Sequence, residues 1–126
     1  MKKDIQHLDD IKLMVDTFYG KVKKDKILAP IFNETIKDNW SLHLEKMYRF
    51  WETILLNVHS YTGAPFPPHI KLNISEKHFQ IWISLFVTNM DELFEGFVAD
   101  EAKTRAQKMA EIFTYKLDYM QKNKLN

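Results

Sequence analysis

The stretch Pro65-Phe-Pro-Pro-His-Ile-Lys-Leu-Asn-Ile-Ser-Glu-Lys-His-Phe-Gln-Ile-Trp82 constrains the fold of this chain more than any other. Pro65, Pro67 and Pro68 each lack an N–H and restrict the residue before them, which keeps the segment leading to His69 out of a regular helix. Ser75 then offers a helix N-cap, with Glu76 in the first turn where a negative charge suits the helix dipole. From there Phe79, Trp82, Ile83 and Phe86 fall at i, i+3, i+4 and i+7, a strongly apolar helical stripe. A stiff segment thus delivers His69 to the base of an aromatic-rich helix.

The rest of the chain repeats the helical period. Asp9 or Asp10 can cap a first helix on which Ile11, Val15, Phe18, Tyr19 and Val22 share a face, and Lys21, Lys23 and Lys24 sit at its C-terminal end. Leu28 to Phe32 reads as a short apolar connector broken by Pro30. Asp38, Asn39 or Ser41 can cap the next helix. On it His43, Met47, Phe50 and Ile54 lie on one face and Leu44, Tyr48, Trp51 and Leu55 on the adjacent one, so it should be buried over much of its circumference. His59 to Pro68 reads as a loop turning at Gly63. The Ser75 helix should run to about Phe94, with Gly96 as an interruption. Asp100 should start a last helix carrying Ala102, Ala106, Met109, Ala110, Phe113, Leu117 and Met120 along one side. Three glycines and four prolines are too few for the many turns of an all-β fold. The expected fold class is all-α, a single domain over residues 1–126.

Charge and composition narrow the function. A formal net charge of +1 gives no nucleic-acid footprint and no membrane-surface patch. The longest apolar run, near Ile81 to Val87, is far too short to span a bilayer, and no signal-peptide core follows the N-terminal lysines. The absence of cysteine rules out disulfide and thiolate chemistry and fits a reducing cytoplasm. No Cys/His cluster and no H-E-x-x-H supports a zinc site, and there is no Gly-rich phosphate loop or G-x-S-x-G.

What stands out is the polar tips mixed into the apolar faces. Tyr19, His43 and Trp82 each place a hydrogen-bonding group on a stripe that otherwise reads as core. Taken singly, each has an ordinary reading as a core or rim residue with a backbone partner, and His69 alone could sit on a surface loop. His78, in the first turn of its helix, reads mainly as a packing residue. Taken together with His69 they suggest more. A neutral imidazole beside an apolar aromatic wall is what a haem iron needs on its proximal side.

In this order and spacing, Phe18-Tyr19, Pro30-Ile-Phe32, Trp40-Ser-Leu-His43, Phe50-Trp51, Pro65 to His69 and Phe79-Gln-Ile-Trp82 resemble the truncated haemoglobins, short bacterial globins built as a two-over-two helical sandwich. The resemblance runs from about residue 10 to 120. The lack of paired-glycine motifs makes the chain most similar to the third group of that family. It implies haem b (iron protoporphyrin IX) with His69 as the proximal iron ligand. Tyr19, His43 and Trp82 would line the distal pocket, with Met47 as an apolar distal contact and Phe32 packed on the haem face. Phe79 and Phe86, from the same stripe as Trp82, complete the cofactor-binding set. Lys46, one turn after His43, is either a propionate partner or an ordinary surface lysine.

The implied partners are the diatomic gases O₂, NO and CO, with a reductase if the protein turns over, in a cytoplasmic monomer. Donors aimed at the charge on a bound ligand would hold it. Hydrogen bonds to charged groups are worth about 1.5–3 kcal/mol, or about a tenfold to hundredfold slower loss of O₂. Such retention suits NO- or peroxide-related chemistry or scavenging better than oxygen delivery. A haem-based sensor or store acting through a partner, and a cofactor-free helical interaction module, are the two other readings.

Overall fold

The sequence dictates where helices start through a few local carboxylates and hydroxyls. In the computed structural model, which describes residues 2–58 and 75–124, these give five helices and no strand among the described residues: α1 (Leu8–Lys24), α2 (Leu28–Ile36), α3 (Trp40–Leu56), α4 (Glu76–Leu93) and α5 (Phe97–Lys124). α1 packs on α3, α4 packs on α5, and α1 lies against α4, so two helix pairs face each other in a two-over-two sandwich. The expected loop from His59 to Pro68, and His69 itself, lie outside the described residues. No described helix is long and apolar enough to cross a membrane.

α1 is capped by His7 rather than by Asp9 or Asp10. Asp10 sits one turn in and reaches back, accepting the backbone N–H of Gln6 at 2.9 Å and of His7 at 3.1 Å. The face carrying Ile11, Val15, Phe18, Tyr19 and Val22 is buried as its spacing predicts, with Met14 beside it.

Leu28 to Phe32 is helical and not a connector. The Asp25 carboxylate accepts the N–H groups of Ile27 and Leu28, both at 2.9 Å, and so starts α2. Pro30 falls in the first turn, where its missing N–H would have had no intrahelical partner anyway.

α3 begins after Asn39 and ends at Asn57, which adopts the left-handed conformation that asparagine tolerates. It is less enclosed than its two apolar faces suggest. Phe50, Trp51 and Glu52 are buried, Leu44, Tyr48 and Leu55 are half-buried, and Leu42 is exposed. Apolar spacing shows which faces can be covered; the neighbours, α1 above all, decide which are. The Tyr48 hydroxyl donates to Asp16 of α1, and Arg49 Nη1 lies 3.3 Å from the buried Glu52.

Ser75 caps α4 as expected. Its N–H donates to His78 Nδ1 at 2.9 Å, so His78 takes the reciprocal place in the capping box and holds Nδ1 as an acceptor. Within the core, Asn89 Nδ2 donates to the Met14 carbonyl at 3.0 Å and ties α4 to α1.

α5 starts at Phe97, three residues before Asp100, because its cap comes from far away in sequence. The Asp4 carboxylate accepts the N–H of Val98 and of Ala99, both at 2.9 Å. Gly96 makes room for it: its φ is +140°, and a Cβ there would stand 2.6 Å from Asp4 Cγ. Lys3 pairs with Phe94 in a single parallel bridge, and Ile5 is buried beneath this docked N-terminal segment. Buried Ala102, Ala106 and Ala110 let α5 pack closely. The side chains of Leu117 and Met120, expected on the same side, lie outside the described set.

Candidate functional site

Four helices converge on one small cavity. α1 supplies Val15, Phe18 and Tyr19, α3 supplies Met47, Phe50 and Trp51, α4 supplies Trp82 and Phe86, and α5 supplies Met109 and Phe113. Its volume is about 30 Å³. A single water needs roughly 10–15 Å³ of such volume, so the space admits only a small guest. The walls are rigid because the rings interlock. Trp82 stacks on Phe86 at 5.8 Å and 18°, and Phe86 stacks in turn on Trp51 at 5.2 Å and 21°. Phe18 meets Trp82 and Phe86 edge-on at 5.6 Å and 5.3 Å.

Tyr19 is the polar element in this wall. It is 6% exposed, and burial raises its phenol well above the ordinary tyrosine range, so it stays a neutral donor at any physiological pH. No described residue accepts a hydrogen bond from the Tyr19 hydroxyl, nor from the Trp82 indole N–H. The Tyr19 ring is buried and the Trp82 ring half-buried, and an acceptor placed in the cavity can take a hydrogen bond from either.

The residues singled out from sequence divide by position. Tyr19, Met47, Trp82 and Phe86 line the cavity together. Phe32 and His43 stand behind Tyr19, with ring centroids 6.2 Å and 5.1 Å from its own. Phe79 does not line the cavity; it is buried against Phe113 at 5.8 Å, in a neighbouring cluster that floors an open groove between α4 and α5. Lys46 is exposed on α3. Val15, Met109 and Phe113 complete the cavity and were legible only as core positions on their helix faces. Trp40 was not singled out as a site residue, yet its ring meets both Tyr19 at 5.8 Å and His43 at 6.0 Å.

An all-α two-over-two sandwich around an aromatic cavity is a globin-like fold. The comparisons agree: the chain matches the bacterial-like globin family over residues 5–118. It is 32% identical over 117 residues to the group 3 truncated haemoglobin of Campylobacter jejuni, covering 90% of this chain and 92% of that protein. The crystal structure of the group III truncated haemoglobin from Campylobacter jejuni superposes with a TM-score of 0.84 at 32% identity, over 93% of this chain and 95% of the other. The chain belongs to the bacterial-like globins, and within them to the third group of truncated haemoglobins.

Membership of the globin family implies haem binding. The described residues fit the gas-binding side of such a group, on the observation that Tyr19 and Trp82, two donors with no described acceptor, line one aromatic cavity.

Proposed function

We propose that this chain binds haem b with His69 as the axial ligand and retains O₂, NO or CO beside Tyr19 and Trp82. Haem, when bound, supplies the iron that takes the diatomic. The protein supplies the rest. Tyr19 and Trp82 donate hydrogen bonds toward partial negative charge on the guest. An indole N–H only donates, so Trp82 can hold such charge but cannot accept a proton from it. Met47, Phe50 and the Trp51–Phe86–Trp82 column keep water away from the guest. Phe32 is assigned to a face of the haem, Phe79 to the outer part of its surroundings, and Lys46 to a propionate.

This arrangement favours retention with redox turnover of NO or peroxide, fed by a separate reductase, over oxygen delivery. The observation that carries the reading is that Tyr19 and Trp82, two hydrogen-bond donors, line the same small aromatic cavity. The test of the axial assignment is His69→Ala, which should lose haem or change its coordination and recover a native-like spectrum in part with added imidazole. His78→Ala is the control, since His78 Nδ1 is engaged by Ser75, and it should keep the native ligation. An unchanged ferrous spectrum in His69→Ala would remove His69 from the iron.

A further inference from the structure

Among the described residues none accepts the Tyr19 proton, so ring packing is what fixes where the phenol oxygen sits. Four rings meet Tyr19 edge-on: Phe18, His43, Trp40 and Phe32. Phe18 and Phe32 are buried core residues, held from every side. Trp40 is different. It is the first residue of α3, half-buried, and it carries an anchor of its own: Lys23 Nζ stands 4.3 Å from the centroid of its ring.

The spacing explains the grip. Tyr19 and Lys23 are one turn apart on α1, so both reach the same indole. Trp40 and His43 are three residues apart on α3, so their side chains emerge on one side of the helix. The result is a closed triangle of rings. Tyr19 and His43 meet at 5.1 Å and 88°, Tyr19 and Trp40 at 5.8 Å and 67°, and Trp40 and His43 at 6.0 Å and 89°. Each contact sets the positive edge of one ring against the negative face of another, and the ammonium occupies a face of the indole that would otherwise be open to water.

We propose that Trp40, clamped by Lys23, is the positioning residue that fixes the Tyr19 phenol, with the His43 ring behind it, beside the bound diatomic. This rests on the haem-pocket reading above. With the indole gone, Tyr19 and His43 lose their common wall and the phenol gains a second orientation. With only the Lys23 charge gone, the indole keeps its place less often. An exposed cation–π contact then shifts the ratio of the two orientations by about twofold to fivefold.

The experiment is infrared spectroscopy of the CO complex of the haem-loaded protein, with thermal unfolding of the same samples as the second measurement. The C–O stretch responds to donors aimed at the ligand, which a merely structural role for Trp40 would not move. The wild type should show one dominant band, and Tyr19→Phe should move it to higher frequency. Trp40→Leu should divide intensity between those two positions, and Trp40→Phe, which keeps a ring, should restore much of the wild-type band. Lys23→Met should raise the minor band about twofold to fivefold, and Lys23→Arg should reverse that, because a guanidinium also stacks on an indole. Unchanged bands in Trp40→Leu and Lys23→Met, with lower unfolding temperatures, would overturn the proposal and leave Trp40 a packing residue. If Trp40→Leu does not fold, Trp40→Phe and Lys23→Met decide by the same bands. Failure of the wild type to take up haem, or a band that Tyr19→Phe leaves in place, would overturn the haem-pocket reading and this inference with it.

Discussion

Replacing Tyr19 by Phe removes one oxygen and leaves the ring, and the structure predicts a small effect on stability and a large one on ligand retention. The four edge-on ring contacts of Tyr19, from 5.0 Å to Phe18 out to 6.2 Å to Phe32, survive the change. The lost group is a hydroxyl that no described residue accepts. No hydrogen bond within the described protein goes with it, so without a gas ligand Tyr19→Phe should be about as stable as the wild type. With a ligand bound the effect is large. A hydrogen bond to a charged acceptor is worth about 1.5–3 kcal/mol, so O₂ should dissociate about tenfold to hundredfold faster. CO carries less charge and should leave at nearly the wild-type rate. Stopped-flow dissociation of O₂ and CO, with thermal unfolding of the unliganded protein, reads all three quantities. Equal acceleration for both gases, or a clear loss of unliganded stability, would mean that the hydroxyl is bonded within the protein and does not serve the ligand.

Trp82→Phe should alter O₂ release in a way that does not add to Tyr19→Phe, because both donors face one cavity of about 30 Å³ and both rings touch Phe18; strict additivity in the double mutant would separate Trp82 from the distal site. Gly96→Ala should lower stability by about 1–3 kcal/mol through its φ of +140°. It should exceed Asp4→Ala, which loses only the cap at about 0.5–2 kcal/mol, because the new Cβ also displaces Asp4; thermal unfolding of the two variants settles the order. Acid should weaken the same junction. Burial opposes ionisation of Asp4, but backbone N–H groups of Val98, Ala99, Ile5 and Phe97 outweigh it and hold the carboxyl below its ordinary 3.8, as backbone groups and Lys3 do for Asp10. A lowered folded-state value means stability that is present above pH 3.8 and lost as the pH falls through the lower folded value, so Asp4→Ala should show a shallower acid decline in that window than the wild type.

The helices were legible because the apolar period that marks them is local. Ile11 to Val22 on α1 and Phe79 to Phe86 on α4 are on the buried sides their spacing predicts, and Ser75 caps α4 because a cap needs only the next few residues. Contacts made across the chain were not legible. Asp4 caps α5 from 94 residues away, and no spacing rule reveals that. Pro30 misled for a different reason: a proline is a breaker inside a helix and harmless in its first turn, and only the Asp25 cap decides which turn it occupies. On α3, the apolar residues were visible but not the fact that neighbours cover only part of their surface.

Much the same division holds for the candidate site. Tyr19, Met47, Trp82 and Phe86 converge because each sits inward on its own stripe. Phe79 shares the stripe of Trp82 yet lies against Phe113, since an apolar stripe is wide enough to serve two clusters. Trp40 stood in the sequence beside His43, but its place became visible only with Lys23 brought across from α1.

The most direct test of the central claim is the absorption spectrum of the purified wild-type chain after expression with ample haem. A Soret band with one haem per chain, shifting on reduction and again on addition of CO, is the expected result. A folded helical protein that remains colourless, even after haem is added, would contradict the account and leave the aromatic cavity as ordinary core.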